Sequence, residues 1–298
     1  MASDTGPGLA RVTGRAFRAP AAGLPVILTG TQQDMLGEQD DPGAAAGCVP
    51  DRLERRRRPR PWPGAAPVPA GRPEDALVIA DTANPWSAVG RVRVPGSWSS
   101  GVLVGPRHLL TAAHVVPWTD GPGGVESAPG LRVVPAAFDR EEPFGSASAV
   151  AVYAVGTAAP PAIDVTEERI DYAVCVLDRP IGLDTGWFGV RAYRDAWDGL
   201  ASWCMVGYKD DPGVGVRPRN QAGIVLDGCD DQDDCHQVIR HAGDVHPGQS
   251  GGPVFGWWEG EEFPRVVAVQ SYGWPGMAGA SGGDRLVDLV VRARRAFP

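Results

Sequence analysis

Between Leu77 and Gly282 the apolar residues come in runs of strand length, each cut off by turn-forming residues. Leu77–Ala80, Ala88–Val94, Gly101–Gly105 and His108–Thr111 come first, with turns at Asn84-Pro85-Trp86 and Pro106-Arg107. Val92 and Val94 alternate with Arg91 and Arg93, the period of a strand with one face in water. Leu131–Phe138, Ala149–Val155 and Tyr172–Leu177 follow. Beyond the short Leu77–Ala80 run, that makes about six strands before Pro180, enough to close a small barrel. A second set comprises Ser202–Tyr208, Ala222–Leu226, Gln237–Arg240, Pro253–Trp258 and Arg265–Gln270, with turns at Gly199 and Gly213. The 40 Gly and 29 Pro of the chain suit such punctuation. Helical spacing enters only at the end, where Leu286, Leu289, Val290 and Ala293 share one face behind Asp284 as N-cap. The pattern predicts an all-β fold: two six-stranded antiparallel β-barrels (about 77–185 and 186–281), then a C-terminal helix over about 284–297.

Residues 1–75 have a different texture. Pro, Gly, Ala and Arg dominate, and Asp40-Asp41-Pro42-Gly43 and Pro59-Arg60-Pro61-Trp62-Pro63-Gly64 block regular structure. This segment is expected to be of low order, a pro-segment or a spacer before a domain spanning 76–298. Its basic cluster Glu54-Arg55-Arg56-Arg57-Arg58-Pro59-Arg60 reads first as a solvated charge run. The net charge of −8 lies wholly after residue 75, which argues against nucleic-acid binding by the main domain. No run of spanning length is apolar, so no membrane partner is expected. Residues 1–30 show no signal-peptide pattern, leaving a cytoplasmic location and another export route both open. Of five cysteines, Cys175 and Cys204 sit in apolar strands as buried thiols. Cys229 and Cys235 could close a small surface loop by a disulfide, and an odd count is no complete disulfide framework.

One segment carries chemistry. His246-Pro247-Gly248-Gln249-Ser250-Gly251-Gly252-Pro253 sets a serine among glycines just before an apolar run. Such flanks let the chain turn sharply, present a hydroxyl, and aim bare N–H groups beside it. A nucleophilic serine also needs a base and a carboxylate to orient that base. Among five histidines His114 stands out, at the end of a strand in Leu110-Thr111-Ala112-Ala113-His114. Asp171 heads the apolar run Tyr172-Ala173-Val174-Cys175-Val176-Leu177, where a carboxylate must be solvated, capped or paired. Asp164 and Asp178 are its rivals.

With those strings side by side, the chain resembles trypsin-like serine peptidases of the chymotrypsin fold, most of all the bacterial V8-like, glutamyl-endopeptidase-related branch. The order His, Asp, Ser agrees. Pro85-Trp86-Ser87-Ala88-Val89-Gly90, Gly186-Trp187-Phe188-Gly189 and Val206-Gly207-Tyr208 are softer matches. The resemblance covers about residues 77–297. It implies a serine endopeptidase with Ser250 as nucleophile, His114 as base, Asp171 as its orienting carboxylate, and the Gly248 and Ser250 N–H groups as oxyanion hole. It implies Ser271 as a support for the aspartate, and 271–273 (Ser271, Tyr272, Gly273) as a strand partner for substrate. A catalytically silent relative that binds a peptide or a protein partner, and a serine esterase, are the alternatives.

The departures bear on specificity. Acid-selective relatives carry Thr or Ser and His where this chain has Val245 and Gln270. Asp244 stands where trypsins keep a lysine/arginine-selecting aspartate, so the preferred substrate residue stays open. Gln249 replaces the aspartate of trypsin-style activation, which cannot operate here in that form. No zinc-type His/Cys spacing occurs, and the aspartates of Asp227–Cys235 read as an exposed loop before a Ca²⁺ site. No cofactor and no metal are expected. The expected partner is a peptide or protein substrate, and the expected state is a monomer.

Overall fold

The structure, a computed structural model, describes residues 26–29, 47, 76–118, 130–155, 168–211, 215–228, 237–258, 263–274 and 277–298. In chain order the strands are β1 (Val26–Thr29), β2 (Leu77–Val78), β3 (Val89–Val94), β4 (Ser97–Gly105), β5 (His108–Thr111), β6 (Arg132–Pro135), β7 (Ala147–Ala154), β8 (Ala173–Leu177), β9 (Gly189–Val190), β10 (Trp203–Asp211), β11 (Gly215–Ile224), β12 (Leu226–Gly228), β13 (Gln237–His241), β14 (Pro253–Gly256), β15 (Arg265–Trp274) and β16 (Met277–Gly282). Among the described residues two α-helices join them, α1 (Gly182–Thr185) and α2 (Asp284–Ala296).

The first sheet runs β1-β7-β6-β3-β4-β5-β8, and β7 pairs again with β8. That second pairing closes β3 to β8 into a barrel. Val92, Val102, Leu110, Val133, Val152 and Val174 are fully buried in its core. Branched side chains of this kind pack well on a pleated, half-buried surface. Strand β1 lies in the segment expected to be of low order, yet it pairs in parallel with β7. The second sheet runs β12-β13-β16-β15-β14-β10-β11-β2, with β9 beside β15. Among the described residues no ladder joins β12 to β2, so this half is a half-barrel where a second closed barrel was expected. Leu77–Val78, expected to start the first barrel, pairs with Asn220–Arg219 of this second sheet. A two-residue strand holds too little pattern to name its partner. Tyr193, Trp203, Met205, Val254 and Val267 form the second core, with Trp197 and Trp258 stacked at one end.

Helix α2 packs its Leu286, Leu289, Val290 and Ala293 face into the first core, at the expected spacing. Its N-cap is Gly283, not Asp284. Asp284 is the first helical residue, and its carboxylate accepts from Arg194 Nη2 at 2.9 Å instead of capping the turn. Cys175 and Cys204 are buried free thiols, pushed up to about 12 and about 11 by burial. Cys48, Cys229, Cys235 and Asp164 lie outside the described residues.

Two histidines are buried away from the candidate base. His108 Nε2 meets Ala293 O at 3.0 Å, and His241 Nε2 meets Gln270 Oε1 at 2.8 Å. Burial pushes both down to about 4, against hydrogen bonds that raise them. The unfolded chain binds a proton at each site below the ordinary histidine pKa near 6.5, while the folded chain does so only near 4. Their contribution to stability is therefore complete above pH 6.5 and lost as pH falls toward 4, about 3 kcal/mol per site. A urea midpoint that falls from pH 7 to pH 4 is the expected result. His108→Gln, which keeps a donor for Ala293 O, should flatten part of that fall; a wild-type midpoint constant over this range contradicts it.

Candidate active site

The register of the first barrel brings a histidine and an aspartate together. Strands β5 and β8 are antiparallel with Thr111 opposite Ala173. Two residues beyond that pair, the chain after Thr111 reaches Ala113 while the chain before Ala173 reaches Asp171. Ala113–Val115 form one 3-10 turn, braced by Trp118 Nε1 donating to Ala113 O at 2.8 Å. His114 donates its backbone N–H to Asp171 Oδ1 at 2.9 Å, and its Nδ1 lies 2.7 Å from Oδ2. A carboxylate only accepts, so the Nδ1 proton sits between them, and in the neutral ring the lone pair is then on Nε2. Asp171 is 0% exposed, and Ser271 Oγ is a third donor to it. Three donors offset the cost of burying that charge. Asp178 is instead exposed and caps β7 by accepting from Ser148 N–H at 3.0 Å.

The serine turn is clamped between the two halves. Gly248 (φ +94°) and Gly251 (φ +77°) take left-handed backbone that side chains disfavour. Ser100 Oγ donates to Gly248 O at 2.7 Å, and Ser99 Oγ and Ser100 N–H donate to Ser250 O at 2.7 and 2.9 Å. From the second sheet, Gln270 O accepts from Gly251 N–H at 2.7 Å, and Gln270 N–H donates to Gly252 O at 2.8 Å. A methyl group at Gly251 would collide with Thr111 Oγ1 and Ser100 O and lie 2.7 Å from Ala112 N. The serine turn thus abuts the segment that carries His114. The N–H groups of Gly248 and Ser250 take no part in these bonds, and the Gln249 carbonyl, in the same peptide as the Ser250 N–H, accepts from Gly252 N–H at 3.0 Å. Neither N–H, nor Ser250 Oγ, nor His114 Nε2 has a hydrogen-bond partner among the described residues. Two backbone donors, a hydroxyl and an imidazole nitrogen on neighbouring segments are thus uncommitted, the groups that serine acyl transfer requires. Buried Gln249 accepts from His246 N–H at 2.6 Å, so a neutral amide braces the turn from within.

Beside the serine, the remaining residues divide. Gln270 is fully buried, and its Nε2 donates to Tyr272 O at 2.6 Å and Gly279 O at 3.2 Å. Its Oε1 accepts from His241, whose Nδ1 accepts from Gly243 N–H at 3.1 Å. That amide is saturated and offers nothing to a ligand. Asp244 is not a buried lone charge: its side chain is 27% exposed and lies 2.8 Å from His246 Nε2, with Lys209 Nζ 3.0 Å from the same nitrogen. A methyl group on Gly273 would lie 2.8 Å from Val245 Cβ, and one on Gly279 would overlap the Tyr272 ring. The groove between 244–245 and 272–273 is correspondingly narrow. Sequence reasoning missed His241, Lys209 and Gly279, because their roles depend on which strands become neighbours.

The family model described as trypsin-like peptidase domain matches residues 99–269. The chain belongs to that family. This trypsin-like peptidase is 23% identical to the glutamyl endopeptidase of Bacillus licheniformis over 226 residues, 75% of this chain and 66% of that relative. The match thus spans just under two thirds of the relative's length. A solved glutamyl endopeptidase structure, described as a complex with MPD, superposes with a TM-score of 0.59 at 21% identity, covering 74% of this chain and 96% of that one. Human heparin binding protein superposes at 0.52 with 16% identity, covering 75% and 97%. These likenesses show the all-β, chymotrypsin-like fold. Among the described residues no helix is long and apolar enough to cross a membrane, and no cluster of His, Cys, Asp and Glu could hold a metal ion.

Proposed function

We propose that this chain is a serine endopeptidase working through an acyl-enzyme on Ser250. Ser250 Oγ adds to the carbonyl carbon of the scissile bond while its proton passes to His114 Nε2. Asp171 holds the Nδ1 proton and stabilises the imidazolium. The new oxyanion accepts from the Gly248 and Ser250 N–H groups, each worth on the order of 3 kcal/mol. The intermediate then expels the amine, which takes the proton back from Nε2. Water, deprotonated by the same nitrogen, attacks the ester and frees the acid. The observation that carries this reading is the continuous connection Ser250 turn–Gln270–Ser271–Asp171–His114, tied at every step by hydrogen bonds or chain neighbours.

The test is digestion of a mixed peptide library with mass-spectrometric reading of the new termini. Internal cuts by the wild type, absent in a His114→Ala variant, are expected. No cleavage by the full chain or by residues 76–298 overturns the reading. The narrow groove adds a specificity. A substrate paired with 271–273 sends the side chain preceding the bond toward Val245, so alanine there should be cut faster than phenylalanine. Val245→Gly should raise kcat/KM for the phenylalanine substrate at least tenfold relative to alanine. Equal wild-type rates for the two contradict it.

A further inference from the structure

A second concave site adjoins the serine turn on the side away from 271–273. It is a cavity of about 420 Å³ walled by Arg91, Arg93, Arg140, Trp98, Asp139 and Val216. Three guanidinium groups face it. The Asp139 carboxylate is taken by Arg217, whose Nη2 and Nε lie 2.8 to 3.1 Å from its oxygens. Arg93 pairs with Glu142 at 2.8 Å at a half-exposed position. Arg91 is only 6% exposed; its Nη1 donates to Asp139 O at 3.0 Å, and its Nε has no partner among the described residues. Arg140 is exposed and pairs with none of the described residues. Among the described residues the lining therefore carries uncompensated positive charge, part of it desolvated, beside an aromatic wall.

Trp98 ties this cavity to the chemistry. It directly precedes Ser99 and Ser100, which hold Ser250 O, and its Nε1 would lie 3.1 Å from a methyl group on Gly248. Strand β15 meets the serine turn from the other side, through Gly251 and Gln270. A substrate whose acyl half pairs with 271–273 must lead its leaving half out past Trp98. At about 3.3 Å per extended residue, the first three residues beyond the bond span this region.

We propose that the arginine-lined cavity is a subsite for a carboxylate on the leaving half of the substrate, within three residues after the scissile bond. The proposal rests on the serine-peptidase reading for the direction of the substrate. The selecting groups are Arg93 and Arg140 at the mouth, with Arg91 fixed behind them. Guanidinium groups suit this work because their fork of donors matches two carboxylate oxygens.

The experiment compares C-terminally amidated peptides that differ only after the bond, with Glu, Gln or Lys at each of the three following positions. The wild type should show kcat/KM about tenfold higher for Glu than for Gln at one of them, lower again for Lys, and the Glu advantage should shrink as salt rises. In an Arg93→Gln/Arg140→Gln variant the Glu-to-Gln ratio should fall to about one. The Gln peptide ending in a free acid shows whether a terminal carboxylate substitutes for the side chain. Equal Glu and Gln rates in the wild type, or a ratio unchanged in the double variant, overturns the subsite. If no peptide is cut, anisotropy of the labelled Glu and Gln peptides on the Ser250→Ala chain decides. Glu-selective binding, lost in the double variant, keeps the subsite while the peptidase reading falls. No Glu-selective binding removes the subsite.

Discussion

Replacing Ser250 by alanine is expected to lower kcat/KM for peptide hydrolysis by about 10⁴-fold or more. The reasoning is local. The Ser250 side chain makes no hydrogen bond among the described residues, while its carbonyl is held by Ser99 and Ser100 and its neighbours by Gln270. Removing the hydroxyl therefore deletes the nucleophile and leaves the turn in place. Thermal stability should stay within about 0.5 kcal/mol of wild type. Hydrolysis rates and a melting curve on the same preparation check both halves. A stable variant that retains a tenth of the activity would mean that another group attacks the bond.

Asp171→Asn should cost nearly as much, about 10⁴-fold in kcat at neutral pH. The carboxylate now accepts from His114 N–H, His114 Nδ1–H and Ser271 Oγ–H. An amide has one oxygen, so it cannot accept in all three places, and its NH₂ must face one of the former donors. The rearrangement that satisfies most groups turns Nδ1 into an acceptor and moves the imidazole proton to Nε2. That nitrogen then points a proton, not a lone pair, toward Ser250. KM should change little, because the amide does not touch substrate. Ser271→Ala is the internal comparison: it removes one donor but leaves the tautomer, so it should cost about tenfold at most. Activity of Asp171→Asn within tenfold of wild type would contradict the role given to this carboxylate.

The candidate site was more legible in the sequence than its surroundings, for a physical reason. A serine among glycines, a histidine after a strand and an aspartate heading a buried strand are unusual residue types in their local settings. The pairing of β5 with β8 brings His114 to Asp171 without further information. The strand pattern likewise showed the all-β class and the terminal helix. What the chain did not disclose are features made by neighbours distant in sequence. The Gln270–His241 contact needs β13, β16 and β15 side by side. The contact of Lys209 with His246, the partner of Asp244, needs β10 to run beside the serine turn. Arg91 and Arg93 looked like the wet face of an alternating strand, yet Arg91 is almost fully buried against Asp139 O. The partner of β2 could not be read from two residues.

Labelling of the full chain with a fluorophosphonate, followed by peptide mapping, tests the central claim most directly, because the reagent reports a serine activated by its base and oxyanion donors without assuming any substrate. One adduct per chain on Ser250, strongly slowed in Asp171→Asn, is the predicted result. No adduct on either the full chain or residues 76–298, or an adduct on a different serine, would contradict the account.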